Sequence, residues 1–303
     1  PGDITSIGNQ REQNLKQNIK INSSLGNFRV QISQEGYQTL NPILTNGYKK
    51  SPSIDINYYR NFKNFSLKEH LNFTNFVADN IHGFYGINNI NEFQSLIKNP
   101  LEGSRFFYNL EVSNSTHFNG YKISSSFGIR GIDYDIENKD RIKTKSVIVP
   151  TFNFDISTSF IKKDSGNSHI VKPRIYYGYV GYENQENNPV FDSYKLGMMN
   201  QLFNTNRFTG MDRIGDQNFY TLSIEYKKRH MDMNKISFKL SQKFYIKDRK
   251  VFIDEMSHMQ AESKMTSNSM GMGMMEMSMM PMTMMSGDKG PLMFMGKWMP
   301  VSY

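Results

Sequence analysis

Apolar and polar side chains alternate with a period of two through most of the first 255 residues. The clearest run places Phe152, Phe154, Ile156 and Phe160 on one side, with Asn153, Asp155, Ser157 and Ser159 on the other. Successive side chains of a strand point to opposite faces, so this pattern predicts strands with one apolar and one polar face. The same ladder recurs at Phe28-Val30-Ile32, Ile54-Ile56-Tyr58, Tyr108-Leu110-Val112 and Ile175-Tyr177-Tyr179. Others are Ile123 with Phe127 and Ile129, Leu222-Ile224-Tyr226, and Ile236-Phe238-Leu240 running on to Phe244 and Ile246. A barrel strand crosses a membrane in ~9–11 residues, and the spacing leaves room for about ten of them. Turn residues separate the ladders at Asn46-Gly47, Asn119-Gly120, Ser165-Gly166-Asn167 and Met231-Asp232-Met233-Asn234. Longer polar connections fall at 78–104, 133–145 and 180–218. Short and long connections together predict an all-β transmembrane antiparallel barrel wall. A soluble sandwich or an elongated β-repeat has the same periodicity and stays open at this point.

Composition favours the membrane version. Aromatic residues make up 13% of the chain while hydrophobic residues reach only 38%, and the mean hydropathy is -0.59. Barrel strands carry apolar residues on one face only, and the lumen and loops are polar, which reconciles the two figures. No run approaches the ~18 apolar residues of a spanning helix. The chain starts at Pro1 without a charged-then-apolar leader, so a secretory signal is expected to lie outside it, and the chain reads as a fragment. It has no cysteine, which excludes disulfides and thiolate metal sites within it.

The net charge is +8 and the surplus belongs to residues 1–255, because the three lysines of 256–303 are matched by three acidic residues. A basic balance suits anionic lipopolysaccharide phosphates in an outer-membrane protein and nucleic acid in a soluble one. Residues 256–303 form a second region: 16 of the 21 methionines fall there, punctuated by Gly, Ser and Pro. That segment predicts a disordered low-complexity tail, with a further strand starting at Trp298 to Tyr303. Thioether sulfur is a soft ligand, so Met272, Met274, Met277 and Met279 are candidates for Cu(I). A tail without function, or an assembly or reading-frame join, accounts for the composition equally.

No G-x-S-x-G, H-E-x-x-H or G-x-x-x-x-G-K-[ST] motif occurs in the chain. The six histidines (70, 82, 117, 169, 230 and 258) are scattered singly. Asp133, Asp135 and Glu137 alternate like the start of a calcium loop, but Asn138 and Thr144 stand where Gly and Glu are required. An acidic extracellular loop is expected there instead. Lys227-Lys228-Arg229-His230 falls at an expected hairpin turn. The chain reads as a non-enzyme without a cofactor.

One segment is denser in side-chain donors and acceptors than any other. Gln201-Leu202-Phe203-Asn204-Thr205-Asn206-Arg207-Phe208-Thr209-Gly210-Met211-Asp212-Arg213-Ile214-Gly215-Asp216 resembles the "QLF-x-x-NRF-S-G-L-D-R-I-G-D" block of the LptD (OstA) family. Upstream, Lys172 to Val180, with Pro173 and Arg174, is similar to "E-P-R-L-F-Y-x-Y-V". Gln185 through Pro189, Phe191 and Asp192 is similar to "Q-x-x-x-P-x-F-D". Pro150 and Asp155 fall in a "V-P-x-F-x-x-D" match at 149–155, and Tyr37 to Leu40 match "Y-Q-T-L". Downstream, Gln242, Tyr245, Asp248 and Arg249 fall in a match to "G-Q-x-F-Y-F-x-D-R-x-V". The resemblance is strong over 145–252, weaker over 25–145 and absent after 255. Thr209, Met211, Lys172 and Gly181-Tyr182 depart from the family pattern.

The resemblance implies lipopolysaccharide transport and assembly, with the lipid inserted into the outer leaflet of a Gram-negative cell outer membrane. It also implies an LptE-like plug lipoprotein and an LptA-like periplasmic bridge reached through an N-terminal domain not in this sequence. Without that domain and the closing strands, the segment alone is not expected to transport lipid. Within the dense block, Asn206, Arg207, Phe208, Gly210, Asp212, Arg213, Gly215 and Asp216 either stitch a loop into a fixed shape or present a polar surface to lipid phosphates or the plug. Gly210 and Gly215 are expected to supply positive φ. A diffusion porin and a soluble basic β-protein that binds nucleic acid are the alternatives. A hydrolase is weaker, since no Ser/His pair stands at catalytic spacing.

Overall fold

The computed structural model describes residues 14–39, 48–78, 101–137, 143–164, 166–230, 233–253 and 289–298. The ladders become strands β1 (Asn14–Leu25), β2 (Phe28–Thr39), β3 (Lys49–Asn61), β4 (Ser66–Val77), β5 (Gly103–Phe118) and β6 (Tyr121–Ile136). They continue as β7 (Val147–Thr158), β8 (Phe160–Asp164), β9 (Asn167–Val180), β10 (Gln217–His230), β11 (Met233–Tyr245) and β12 (Lys289–Trp298). Among the described residues one short helix, α1 (Met198–Gln201), lies in the connection between β9 and β10. All twelve strands join one antiparallel sheet in chain order, with β8 beside β9. The sheet is open, and β1 and β12 form its two edges.

β7 and β8 are one strand interrupted at Ser159. Ser157 stands opposite Arg174 and Phe160 opposite Val171, so the register on β9 passes through the break unchanged. Among the described residues the wall therefore has eleven rows, one more than the ladders predict. β12 accounts for the difference: it begins at Lys289, well before the expected strand start at Trp298, and pairs with β11. The unbroken apolar run Leu292-Met293-Phe294-Met295 obscures its period. Asp133 and Asp135 also correct the reading of 133–145 as an acidic loop, because both lie within β6 opposite Phe106 and Ser104. The Asn119-Gly120 turn is as expected, with φ 47° and 81°, the type I′ geometry that suits strand twist. Asn46-Gly47 and Met231-Asp232 lie outside the described residues.

Burial is inverted relative to a water-soluble sheet. One face carries Ile32, Phe73, Phe106, Phe127, Phe152, Ile175, Leu222, Leu240 and Phe294, all at least a third exposed. Cross-strand neighbours carry this apolar surface along the sheet: Ile32 faces Ile54, Ile54 faces Phe73, Phe127 faces Phe152 and Leu240 faces Phe294. The opposite face holds Asn72, Thr74, Arg105, Arg130, Thr151, Thr221, Ser241 and Lys243, all buried. An apolar patch of this extent is costly in water and natural against lipid. We call the apolar face outer and the polar face inner. Among the described residues no helix is long and apolar enough to cross a membrane, and a barrel crosses with strands instead. Phe127→Arg, on the outer face near the middle of β6, is expected to cost about 2–4 kcal/mol in bilayers. Ser124→Arg, on the inner face of the same strand, should cost far less, and comparative urea titrations of the two reconstituted variants check this.

Candidate functional site

The connection between β9 and β10 does not extend away from the sheet. It folds onto the inner face at the end of the wall where the long connections lie. Apolar contacts seat it: Ile214 packs with Ile132, Val147, Val149 and Val180, and Phe191 packs with Phe76 and Ile136. Phe191 stacks on Phe76 with ring centroids 4.3 Å apart.

Around that packing sits a buried charge cluster. Asp212 is wholly buried, and its carboxylate accepts from the backbone N–H groups of Phe191 at 2.9 Å and Asp192 at 2.7 Å and from the Arg105 guanidinium of β5. Arg105 also makes a two-pronged bond to Asp192, at 2.7 and 3.2 Å, and Lys50 of β3 reaches the same carboxylate at 2.6 Å. Two cations and two anions thus neutralise one another, which burial demands. Ser193 accepts the Asp212 N–H at 2.8 Å, and Tyr134 donates to the Asp212 carbonyl at 3.0 Å. The Arg105 guanidinium lies 4.8 Å from the Phe76 ring centroid.

Burial alone would raise the Asp192 carboxyl, but Arg105 and Lys50 outweigh it and hold it well below the ordinary carboxylate range. Burial pushes Asp212 upward instead. Because the folded value of Asp192 is depressed, its ion pairs contribute in full above the ordinary carboxylate value. That contribution is lost as the pH falls from there toward the depressed value. The β9–β10 connection is therefore expected to resist pepsin at about pH 4 and to become cleavable as the pH drops further. Cleavage mapped by mass spectrometry checks this.

Other motif residues fasten neighbouring stretches. Asp216 accepts from the backbone N–H groups of Lys250 (2.9 Å) and Val251 (2.8 Å), clamping the segment after β11 onto the loop. Arg207 donates to the Asp216 carbonyl at 3.0 Å; burial and nearby Arg249 lower its guanidinium to about 10, against the pull of Asp216. Phe208 packs with Val251 and Ile253. Gln185 and Ile214 exchange bonds of 2.8 and 2.9 Å, so a side-chain amide imitates a strand partner. Arg213 donates to the carbonyls of Pro189 (3.0 Å) and Asn188 (2.6 Å). Asn206 accepts from Arg130 of β6 at 2.6 Å. Asp155 and Arg174 form a two-pronged pair across β7 and β9, with bonds of 2.9 and 2.5 Å, and Arg174 lies 3.9 Å from the Phe203 ring centroid. Arg249 covers Tyr245 at 4.1 Å.

Gly210 has the expected positive φ, +65°, and a Cβ there would lie 2.6 Å from the Asp192 carbonyl. Gly215 does not: its role is close approach, since a Cβ would come within 2.8 Å of the Phe208 ring. Pro150, Pro173 and Gln242 stand apart from the cluster, at outer-face positions of β7, β9 and β11, and Asp248 is exposed beyond β11. Met272, Met274, Met277 and Met279 lie outside the described residues. Among the described residues, no group of three His, Cys, Asp or Glu is placed to hold a metal.

Sequence reasoning missed Arg105, Lys50, Arg130, Tyr134 and Lys243. Arg105, Arg130, Tyr134 and Lys243 carry one signal, charge or hydroxyl on the inner parity of an otherwise Ser/Thr/Asn face; Lys50 has the parity of outer Ile54 and Ile56 and is turned inward by the register shift between Lys50 and Ser53. Lys243 donates to the Gln201 carbonyl and the Gln217 side chain, each at 3.0 Å, and sits 3.4 Å from the Phe219 ring centroid.

A family model described as "LPS transport system D" (LptD) matches residues 3–287, nearly the whole chain. The chain belongs to the LptD family. Curated LPS-assembly proteins LptD resemble it over shorter stretches. That of Acinetobacter baumannii is 32% identical over 139 residues, 45% of this chain and 16% of the relative. That of Xanthomonas oryzae is 28% identical over 199 residues, 63% and 24% respectively. That of Pseudomonas putida is 39% identical over 111 residues, 34% and 12%. The matches thus span less than a quarter of each LptD relative's length. The LptD family match also runs past residue 255, where the quoted motifs stop.

Proposed function

We propose that this chain is a wall segment of an outer-membrane translocon that places lipopolysaccharide in the outer leaflet. Residues 1–255 supply the barrel wall except for its last row, and 256–303 form a Met-rich region that contains that row, β12. The observation that carries the reading is an exposed apolar outer face backed by an inner face onto which the family-motif loop is locked. The loop fixes the shape of the wall at its long-connection end, and no covalent chemistry is required of it. Acyl chains travel through an apolar environment while the saccharide passes along the hydrated inner side. The partners in this reading are lipopolysaccharide, an LptE-like plug lipoprotein and an LptA-like periplasmic bridge.

Depletion of the intact protein in its own cells tests the proposal. Newly made lipopolysaccharide should become inaccessible to a probe that cannot cross the outer membrane, and wild-type protein should restore access. Unchanged surface lipopolysaccharide with reduced uptake of small solutes would instead establish a diffusion porin.

A further inference from the structure

The outer face changes character abruptly at the short-turn end of β8, β9 and β10. Ile175 and Leu222, paired across β9 and β10, belong to the apolar band and are about half exposed. Nearer the turn, Phe160, Val171 and Tyr226 form a mixed aromatic row across the three strands. The next row on the same face is cationic: Lys162 opposite His169, and His169 opposite Lys228. Adjacent same-face rows are two residues apart, or about 6.7 Å along a strand. Apolar surface, aromatic belt and charge in that sequence mark the depth at which a barrel passes from acyl chains to headgroups.

The charges there are not consumed internally. Neither Lys162 nor Lys228 forms an ion pair among the described residues, whereas inner-face Lys227 is bound to Glu225 at 2.7 Å. His169 shares a 2.8 Å hydrogen bond with the Tyr226 hydroxyl. With Tyr226 donating, the ring's remaining N–H is free to donate outward. The row borders an open cleft of about 420 Å³ lined by Phe160, Ile161, Lys162, Asp164, His169 and Val171. β8 extends past the end of the β6–β7 pairing at Tyr121 and Thr158, which leaves one side of the cleft without a neighbouring strand. Apolar walls beside Lys162 and a ring donor, with Lys228 next in the same row, match a lipid whose phosphate meets the cations while its acyl chain lies along Phe160 and Val171.

We propose that Lys162, His169 and Lys228 form a binding site on the membrane-facing surface for the anionic phosphodiester headgroup of a glycerophospholipid. Short turns of outer-membrane barrels face the periplasm, so the lipid comes from the periplasmic leaflet and is distinct from the transported one. The inference rests on the membrane-wall reading above. The site would anchor the wall in depth and register at these three strands.

The test reconstitutes the intact protein in phosphatidylcholine nanodiscs containing a minority of phosphatidylglycerol and measures retained lipids by native mass spectrometry. Wild type is expected to enrich phosphatidylglycerol, and Lys162→Gln with Lys228→Gln to reduce that enrichment about tenfold. Lys163→Gln with Lys227→Gln removes the same charge from the inner face and should leave enrichment unchanged. Equal loss in both double variants, or none in the first, overturns the site. Displacement of the lipid by millimolar inorganic phosphate shows a soluble-anion site and overturns the lipid assignment. Co-flotation with vesicles is read in parallel: wild type that does not float overturns the membrane reading and this site with it, whereas wild type that floats without enrichment overturns the site alone.

Discussion

Asp212→Ala is expected to destabilise the wall by about 3–5 kcal/mol, the cost of breaking a buried ion pair by removing one partner. The deletion strands several groups at once. Arg105 is only 2% exposed and keeps Asp192 as its remaining carboxylate, and the N–H groups of Phe191 and Asp192 lose their acceptor. Each orphaned buried donor costs about 1–3 kcal/mol. The β9–β10 connection should then open, so protease sites within 181–216 appear while strand content is retained. Asp212→Asn keeps the volume but presents an amide to donors on both sides and should recover little. Pairing Arg105→Met with Asp212→Leu removes both charges and should recover part of the loss. Recovery stays incomplete because the two N–H groups remain unpaired. Heat-modifiability midpoints of the single and double variants measure this, and a shift in Asp212→Ala no larger than that of an exposed control such as Asp248→Ala would sink it.

The strands were readable from sequence because one face meets lipid and the other meets polar groups, which enforces strict alternation over most rows. β12 escaped that logic. Its run Leu292-Met293-Phe294-Met295 is apolar at every position, so no period of two survives even though Phe294 and Met295 point to opposite faces. Asp133 and Asp135 misled for the reverse reason: acidic residues on the outer parity read as loop, and the strand simply continues past the apolar band. The site was half legible. Asp192, Asp212 and Asp216 stand out as charges in a connection rich in motif residues. Lys50 and Arg105, the partners of Asp192 and Asp212, lie 87 or more residues away from Asp192 along the chain, on strands that no local pattern brings to the loop. Asp155 and Arg174 were each visible, but their pairing depends on the β7–β9 register, which only the complete hairpin fixes.

Gly210→Val should be nearly as damaging as the loss of Asp212, through geometry instead of charge. At φ +65° a β-branched residue is strained, at about 1–3 kcal/mol. The added Cβ also meets the Asp192 carbonyl, the Asp192 carboxylate and the Ser193 hydroxyl, each at 2.6 Å. Two of them belong to the charge cluster: the carboxylate binds Arg105 and Lys50, and Ser193 receives the Asp212 N–H. Overpacking adds about 1–3 kcal/mol, and the cluster has no slack with which to absorb it. Gly210→Asn separates the two contributions, because Asn tolerates the left-handed region while still carrying a Cβ. If contact dominates, Asn and Val variants should both expose 181–216 to protease; if backbone strain dominates, Asn should remain resistant. The structure favours contact, since two of the three clashing atoms are fixed by hydrogen bonds to other residues, and an Asn variant as resistant as wild type would contradict it.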